Sequence, residues 1–133
     1  MTEQRADHHA SWHIGDGIEL RLDEPHVVGI VNATPDSFSD GGMYPSIDAV
    51  VGQALRCVEE GAAVIDVGGE STRPGAVRVA APEQIERVVP VIEELRACTD
   101  VLISIDTTRA AVAEAALNAG ANVINDVSAG LED

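Results

Sequence analysis

The chain contains no lysine: all eight of its basic side chains are arginines, set against 23 Asp and Glu, for a formal net charge of −15. That absence excludes both a phosphate-loop lysine and a Schiff-base lysine from these 133 residues. With no basic stripe to release counterions, the chain repels nucleic acid and anionic lipid, so neither is expected as a partner. Aromatic rings are almost missing as well, being limited to Trp12, Phe38 and Tyr44. Ala and Val fill the space that rings usually fill, which suits close layers of strand and helix. The two cysteines, Cys57 and Cys98, fall inside helical patterns with no partner at metal-ligand spacing. They read as buried thiols in a reducing compartment. No apolar run is long enough for a signal peptide or a membrane span, which makes the cytoplasm the expected location. The sequon Asn32-Ala33-Thr34 is a chance match in that setting.

What is present is a repeated alternation of short aliphatic runs and amphipathic stretches. Residues 1–11 are polar and read as a disordered terminus, with His8 and His9 part of the fraying end. Trp12 to Ile14 and Ile18 to Leu22 flank Gly15-Asp16-Gly17, a β-hairpin pattern with one buried face. Val27 to Val31 has no polar alternation, so both faces of that strand are expected to be covered. Ser46 caps a helix running to about Glu60, with Gly61 as its stop. Val64 to Val67 is a second strand. Pro82 opens a second helix carrying Ile85, Val88, Val89, Ile92 and Leu95, in which Pro90 signals a kink or an early break. Val101 to Ile105, the helix Arg109 to Ala119, and Val123 to Val127 complete the series. Gly61-Ala62-Ala63-Val64-Ile65 is echoed by Gly120-Ala121-Asn122-Val123-Ile124. This is βα repetition, either an open doubly wound sheet or part of a (βα)8 barrel.

In both folds the site lies at the carboxyl ends of the strands. There the sequence places Asn32, then Asp66 and Glu70, then Asp106, then Asn125 and Asp126. Singly, each is as well explained by a turn or a helix cap. Together, Asn, Asp, Asp and Asn on one rim match a heterocycle with several ring N–H and carbonyl groups. The loop after the first strand, Asn32 to Gly42, also holds Phe38 among polar neighbours, and Arg73 stands in a Gly-flanked loop suited to gripping a carboxylate or pyrophosphate. Arg109 opens a helix, where the macrodipole disfavours a cation, so it looks to an outside partner or a surface ion pair. Dinucleotide binding is disfavoured because no strand is followed by suitably spaced glycines. A metal-carboxylate hydrolase is disfavoured because no His stands in a strand-end loop.

These motifs resemble dihydropteroate synthase, the folate-pathway enzyme targeted by sulfonamides. Asn32 to Gly42 is similar to that family's first loop and Gly68 to Gly75 to its second. Ser104-Ile105-Asp106-Thr107 and Ile124-Asn125-Asp126-Val127-Ser128 are similar to its third and fourth strand ends. The resemblance covers the chain from Trp12 onward and implies a (βα)8 TIM barrel, of which residues 12–133 supply the hairpin and about four βα units. It implies a transferase that condenses 6-hydroxymethyl-7,8-dihydropterin pyrophosphate with 4-aminobenzoate and releases pyrophosphate. It implies Mg²⁺, with Asn32 beside the metal and the pyrophosphate, and Asp106 and Asn125 on the pterin. Phe38, Thr72 and Pro74 would line the aminobenzoate pocket, and Asp40 and Arg73 would order the two loops over the reacting centre. A homodimer is the further expectation for the full-length protein.

Length is the departure from the family, since a full barrel takes about 250 residues. The family's remaining pterin-binding Asp and Lys, and its anion-binding Arg and His, are expected beyond Asp133. An excerpt of a longer enzyme is therefore the expectation, and the 133-residue chain alone is expected to self-associate and to form no dihydropteroate. A partner-dependent, non-catalytic pterin-binding half-barrel is the alternative from another class. A related pterin-domain methyltransferase is the other, and it should lack the long first loop.

Overall fold

A computed structural model describes residues 10–34, 45–71, 75 and 78–133. Phe38, Asp40, Thr72, Arg73 and Pro74 lie outside the described residues. The chain begins with a hairpin of β1 (Ser11–His13) and β2 (Glu19–Arg21), paired antiparallel with Trp12 opposite Leu20. Its turn needs three successive left-handed residues, Gly15, Asp16 and Gly17, which is why two of them are glycine. The face expected to be buried is only half covered: Leu20 is partly buried, but Trp12 is 44% exposed.

Four parallel strands follow: β3 (Val27–Asn32), β4 (Ala62–Gly68), β5 (Leu102–Asp106) and β6 (Val123–Asn125). They alternate with α1 (Ile47–Glu59), α2 (Ala81–Cys98) and α3 (Ala110–Ala119). The strands lie in chain order, β3-β4-β5-β6, with no reversal. A doubly wound sheet has to reverse its order to place helices on both faces, whereas right-handed crossovers in unbroken order leave every helix on one face. The sheet is therefore an arc of a (βα)8 barrel, with the helices outside.

The core lies between the outer face of the sheet and the helices. Val31, Ile65, Val67, Ile103 and Ile105 pack there against Val50, Val51 and Ala54 of α1, Val88, Val91, Ile92 and Leu95 of α2, and Val112 and Ala116 of α3. Ser46 caps α1, its hydroxyl accepting from Ala49 N at 3.1 Å. Pro90 neither ends nor shortens α2, which runs on to Cys98 because the turns on either side are anchored by Val88, Val91, Ile92 and Leu95. At the opposite end from the site, Arg96 donates to the carbonyls of Gly120 (2.8 Å), Val101 (2.8 Å) and Thr99 (3.3 Å) and to Asn122 Oδ1 (2.7 Å). Asn122 Oδ1 also accepts from Ile103 N, and Asn122 N donates to Ile103 O. One guanidinium thus ties α2 to the starts of β5 and β6.

Two expectations need correction. Among the described residues β3 is covered on one face: Val31 is buried, but Val28 and Ile30 are 50% and 63% exposed, because their side chains point to the inner face, where no described residue stands across from them. Cys98 is exposed rather than buried, because the last turn of α2 runs past the packed layer; Cys57 is half-buried.

Cys57 sits where β3 passes close to α1. A Cβ added at Gly29 would lie 2.8 Å from Cys57 Cβ and 3.0 Å from Ile65 Cδ1, so strand and helix meet over a bare backbone. Gly29→Ala is expected to destabilise the fold by ~1–3 kcal/mol, the usual cost of overpacking. Urea denaturation measures this, and an unchanged midpoint would show that the helix can simply step back.

Candidate functional site

Side chains alternate along a strand, so residues two apart share a face and residues paired across strands form rungs. The inner face is a stack of such rungs. The lowest is Val28, Val64 and Leu102; the next is Ile30, Asp66, Ser104 and Val123; the uppermost, at the carboxyl ends, is Asn32, Gly68, Asp106 and Asn125. The lining therefore passes from apolar to polar over a few residues of each strand. Ala33 N donates to Gly68 O at 2.8 Å and Thr107 N to Asn125 O at 3.1 Å, so backbone pairing persists to the rim and fixes the level of the uppermost rung.

Asn32, Asp106 and Asn125, three of the six strand-end candidates, thus stand at one level of one face. Gly68 is the gap between two of them. A Cβ there would be 3.2 Å from Asn32 Oδ1, 3.7 Å from Asp106 Cβ and 3.8 Å from Asp106 Oδ2. The missing side chain leaves a floor flanked by an amide oxygen and a carboxylate, both directed over it.

Beneath this rung lies Asp66, 5% exposed and central. Ser104 Oγ donates to its Oδ1. Asn125 Nδ2 donates to its Oδ2 at 3.3 Å. Buried carboxylates are costly unless hydrogen-bonded, and here each oxygen has a donor. Its charge is felt above: the Asp106 carboxyl is pushed up from 3.8 to about 6, first by burial and then by Asp66, Asp126 and Glu70. Ser104 stands out in the sequence only as part of a strand-end motif, and its contact with Asp66 is not deducible from spacing. The available signal was a Ser two residues before Asp106, which puts both on the same face.

Two other strand-end acids do structural work. Asp126 accepts from Ser128 N (2.8 Å), Ser128 Oγ (2.7 Å) and Gly130 N (2.8 Å), capping the turn after β6; these donors, the hydroxyl first, hold its carboxyl below the usual range. Glu70 accepts from Val79 N at 2.6 Å and Gln84 Nε2 at 3.4 Å, anchoring the chain that enters α2. Arg109 occupies the cap position of α3 rather than its first turn. The N–H of Ala110 is met by the Asp133 carboxylate at 2.7 Å. Among the described residues, no group of three or more His, Cys, Asp or Glu is placed to hold a metal ion. No helix among them is long and apolar enough to cross a membrane.

A parallel barrel arc with Asn, Asp and Asn on its carboxyl-end rim offers donors and acceptors that can meet the edge of a flat heterocycle. Residues 28–133 match the family model for pterin binding enzymes, and the chain belongs to that family. Three similar members of it are dihydropteroate synthases. The chain is 56% identical over 107 residues to the curated enzyme of Streptococcus pyogenes, covering 80% of this chain and 40% of that protein. It superposes on the Xanthomonas albilineans dihydropteroate synthase solved with 4-aminobenzoic acid with a TM-score of 0.80 at 53% identity, over 88% of this chain and 44% of the other. It superposes on the Yersinia pestis dihydropteroate synthase solved with a sulfonamide drug with a TM-score of 0.84 at 46% identity, over 93% and 45%. The chain thus spans less than half the length of these relatives, and its sheet is part of their barrel.

The Asp106 carboxyl yields a direct check. Because the folded chain holds this proton more tightly than an unfolded one, the stability Asp106 contributes is complete at acid pH and is lost as pH rises from near 3.8 through about 6. A carbon-13 NMR titration is expected to place the Asp106 midpoint near 6, and Asp66→Asn to lower it without restoring the ordinary value, since burial is the larger cause. A wild-type midpoint near 4 would mean that the rim is open to water and that Asp66 is not felt there.

Proposed function

We propose that this chain supplies the pterin-binding wall of a dihydropteroate synthase, with residues 12–133 as the N-terminal half of the barrel domain. The observation that carries the reading is the rung Asn32, Gly68, Asp106 and Asn125, set by register at the carboxyl edge of the sheet. A planar pterin edge laid against it meets an acceptor at Asp106, an amide at Asn125 and an unobstructed floor at Gly68. The 4-aminobenzoic acid in the Xanthomonas structure and the sulfonamide in the Yersinia structure support the second substrate and sulfonamide sensitivity.

In the reaction so assigned, the amine nitrogen of 4-aminobenzoate bonds to the methylene carbon of 6-hydroxymethyl-7,8-dihydropterin pyrophosphate. The carbon–oxygen bond to pyrophosphate breaks, and the amine gives up a proton. The work of this chain is to bind and orient: Asp106 and Asn125 hold the ring, and Asn32 faces the pyrophosphate. By motif position, Phe38, Thr72 and Pro74 line the aminobenzoate pocket while Asp40 and Arg73 order the loops, Arg73 as a cation toward the departing charge.

Mg²⁺ fits this rim in one way. Asn32 Oδ1 is a neutral, hard oxygen beside the bare Gly68, suited to an ion that keeps most of its shell from water and phosphate. When bound, the ion would neutralise charge on the leaving pyrophosphate. The proposal extends to a cytoplasmic homodimer for the whole protein.

Asp106→Ala is expected to weaken binding of the pterin pyrophosphate by ~1–3 kcal/mol, the cost of leaving ring N–H donors unpaired, as read by calorimetry. Unchanged binding would remove Asp106 from the site. If the two loops assemble around pyrophosphate, 4-aminobenzoate should bind appreciably only when pyrophosphate or the pterin substrate is present. Equal affinity with and without pyrophosphate would contradict that order.

A further inference from the structure

The three-residue chain under the rim has a direction. Ser104 has a proton to give, and Asp66 receives it on Oδ1. Asp66 Oδ2 accepts from Asn125 Nδ2 at 3.3 Å. A carboxylate oxygen accepts and does not donate, so the Asn125 amide must offer it the nitrogen. The oxygen of the same planar amide then points away from Asp66. Among the described residues no donor reaches it, while Asn125 itself is exposed at the rim.

We propose that Asp66, held by Ser104, is a positioning residue that fixes the Asn125 amide with one N–H on the buried carboxylate and its oxygen toward the ligand, so that this rim position presents an acceptor to a ligand N–H. The inference rests on the pterin-binding reading above and deepens it. Asp66 and Ser104 are each 5% exposed, so both act through Asn125 rather than on the ligand. Asn125 left to itself would present either end, because an amide flip costs little when nothing holds it. The buried pair makes one end the rule. Asp106 on the same rung is an acceptor when ionised, so the two positions together read two donors along one ligand edge.

A charge swap separates this from a purely structural role. The probe is 6-hydroxymethylpterin, titrated by calorimetry into the whole protein carrying Asn125→Asp alone or Asp66→Asn with Asn125→Asp. The single change sets two carboxylates face to face and is expected to weaken binding by about tenfold or more. In the double change the residue at 66 donates, the residue at 125 accepts, and an acceptor oxygen still faces outward. Binding is expected to return to within about threefold of wild type. A double variant with wild-type melting temperature that binds as poorly as the single one would overturn the proposal, because it would show that the ligand needs the amide nitrogen.

The wild-type protein gives an independent reading should the double variant fail to fold. The Asn125 side-chain NH₂ resonances are expected to be protected from exchange before ligand is added and little changed by it. Protection that arises only on adding 6-hydroxymethylpterin would overturn the proposal. If the wild-type protein binds no 6-hydroxymethylpterin at all, the pterin-binding reading falls and takes the inference with it. Binding with unrestored affinity in a folded double variant sinks the inference alone.

Discussion

The parallel hydrogen-bond register of four strands is the constraint on which the rest depends. Residues far apart in sequence, Asn32, Gly68, Asp106 and Asn125, reach one level only because each ladder is in step with the next. A slip of one residue would turn Asp66, Ser104 and Asp106 toward the helices and bring Ile65, Ile103 and Ile105 into the lumen. The register is held from both sides. The outer aliphatic residues are committed to the helix layer, and Arg96 with Asn122 locks the starts of β5 and β6 at the far end.

This division explains how a polar interior is tolerated. The core lies outside the sheet, between strands and helices, and consists of aliphatic side chains with little exposed surface. The inner face is free to become polar toward its carboxyl end. Asp66 is the extreme case: a carboxylate in the middle of a sheet, made acceptable by Ser104 and Asn125, and the origin of part of the shift on Asp106. The groups that keep Asp66 satisfied are thereby tied to the rim through the same hydrogen bonds.

Much of the fold was legible because aliphatic runs ending in Asn or Asp mark parallel strands, and because Ser46, Gly61, Pro82 and Gly120 mark helix ends. The rim placement of three candidate residues, Asn32, Asp106 and Asn125, was legible for the same reason. The remainder depended on facing and register, which a linear reading does not give. Asn125 and Asp126 are neighbours of similar chemistry, yet one faces the lumen and the other caps a turn. Glu70 looked like a rim acid and instead anchors the entry to α2. The Ser104 to Asp66 contact joins different strands and follows only from the pairing. Val28 and Ile30 read as buried on composition, but their burial depends on what stands across the lumen, which strand composition does not specify. The exposure of Cys98 is not legible because a helical pattern does not show where the packed layer ends.

The central claim is that the carboxyl-end rung of the inner face is a pterin site. A chemical-shift map of the isotopically labelled protein with 6-hydroxymethylpterin tests it most directly. The account predicts that shifts concentrate on Asn32, Gly68, Asp106 and Asn125 with their strand-end neighbours, and that Arg96, Gly120 and Asn122 at the other end stay unmoved. Shifts centred on the Arg96 end, or on the outer helices with the rung silent, would contradict it.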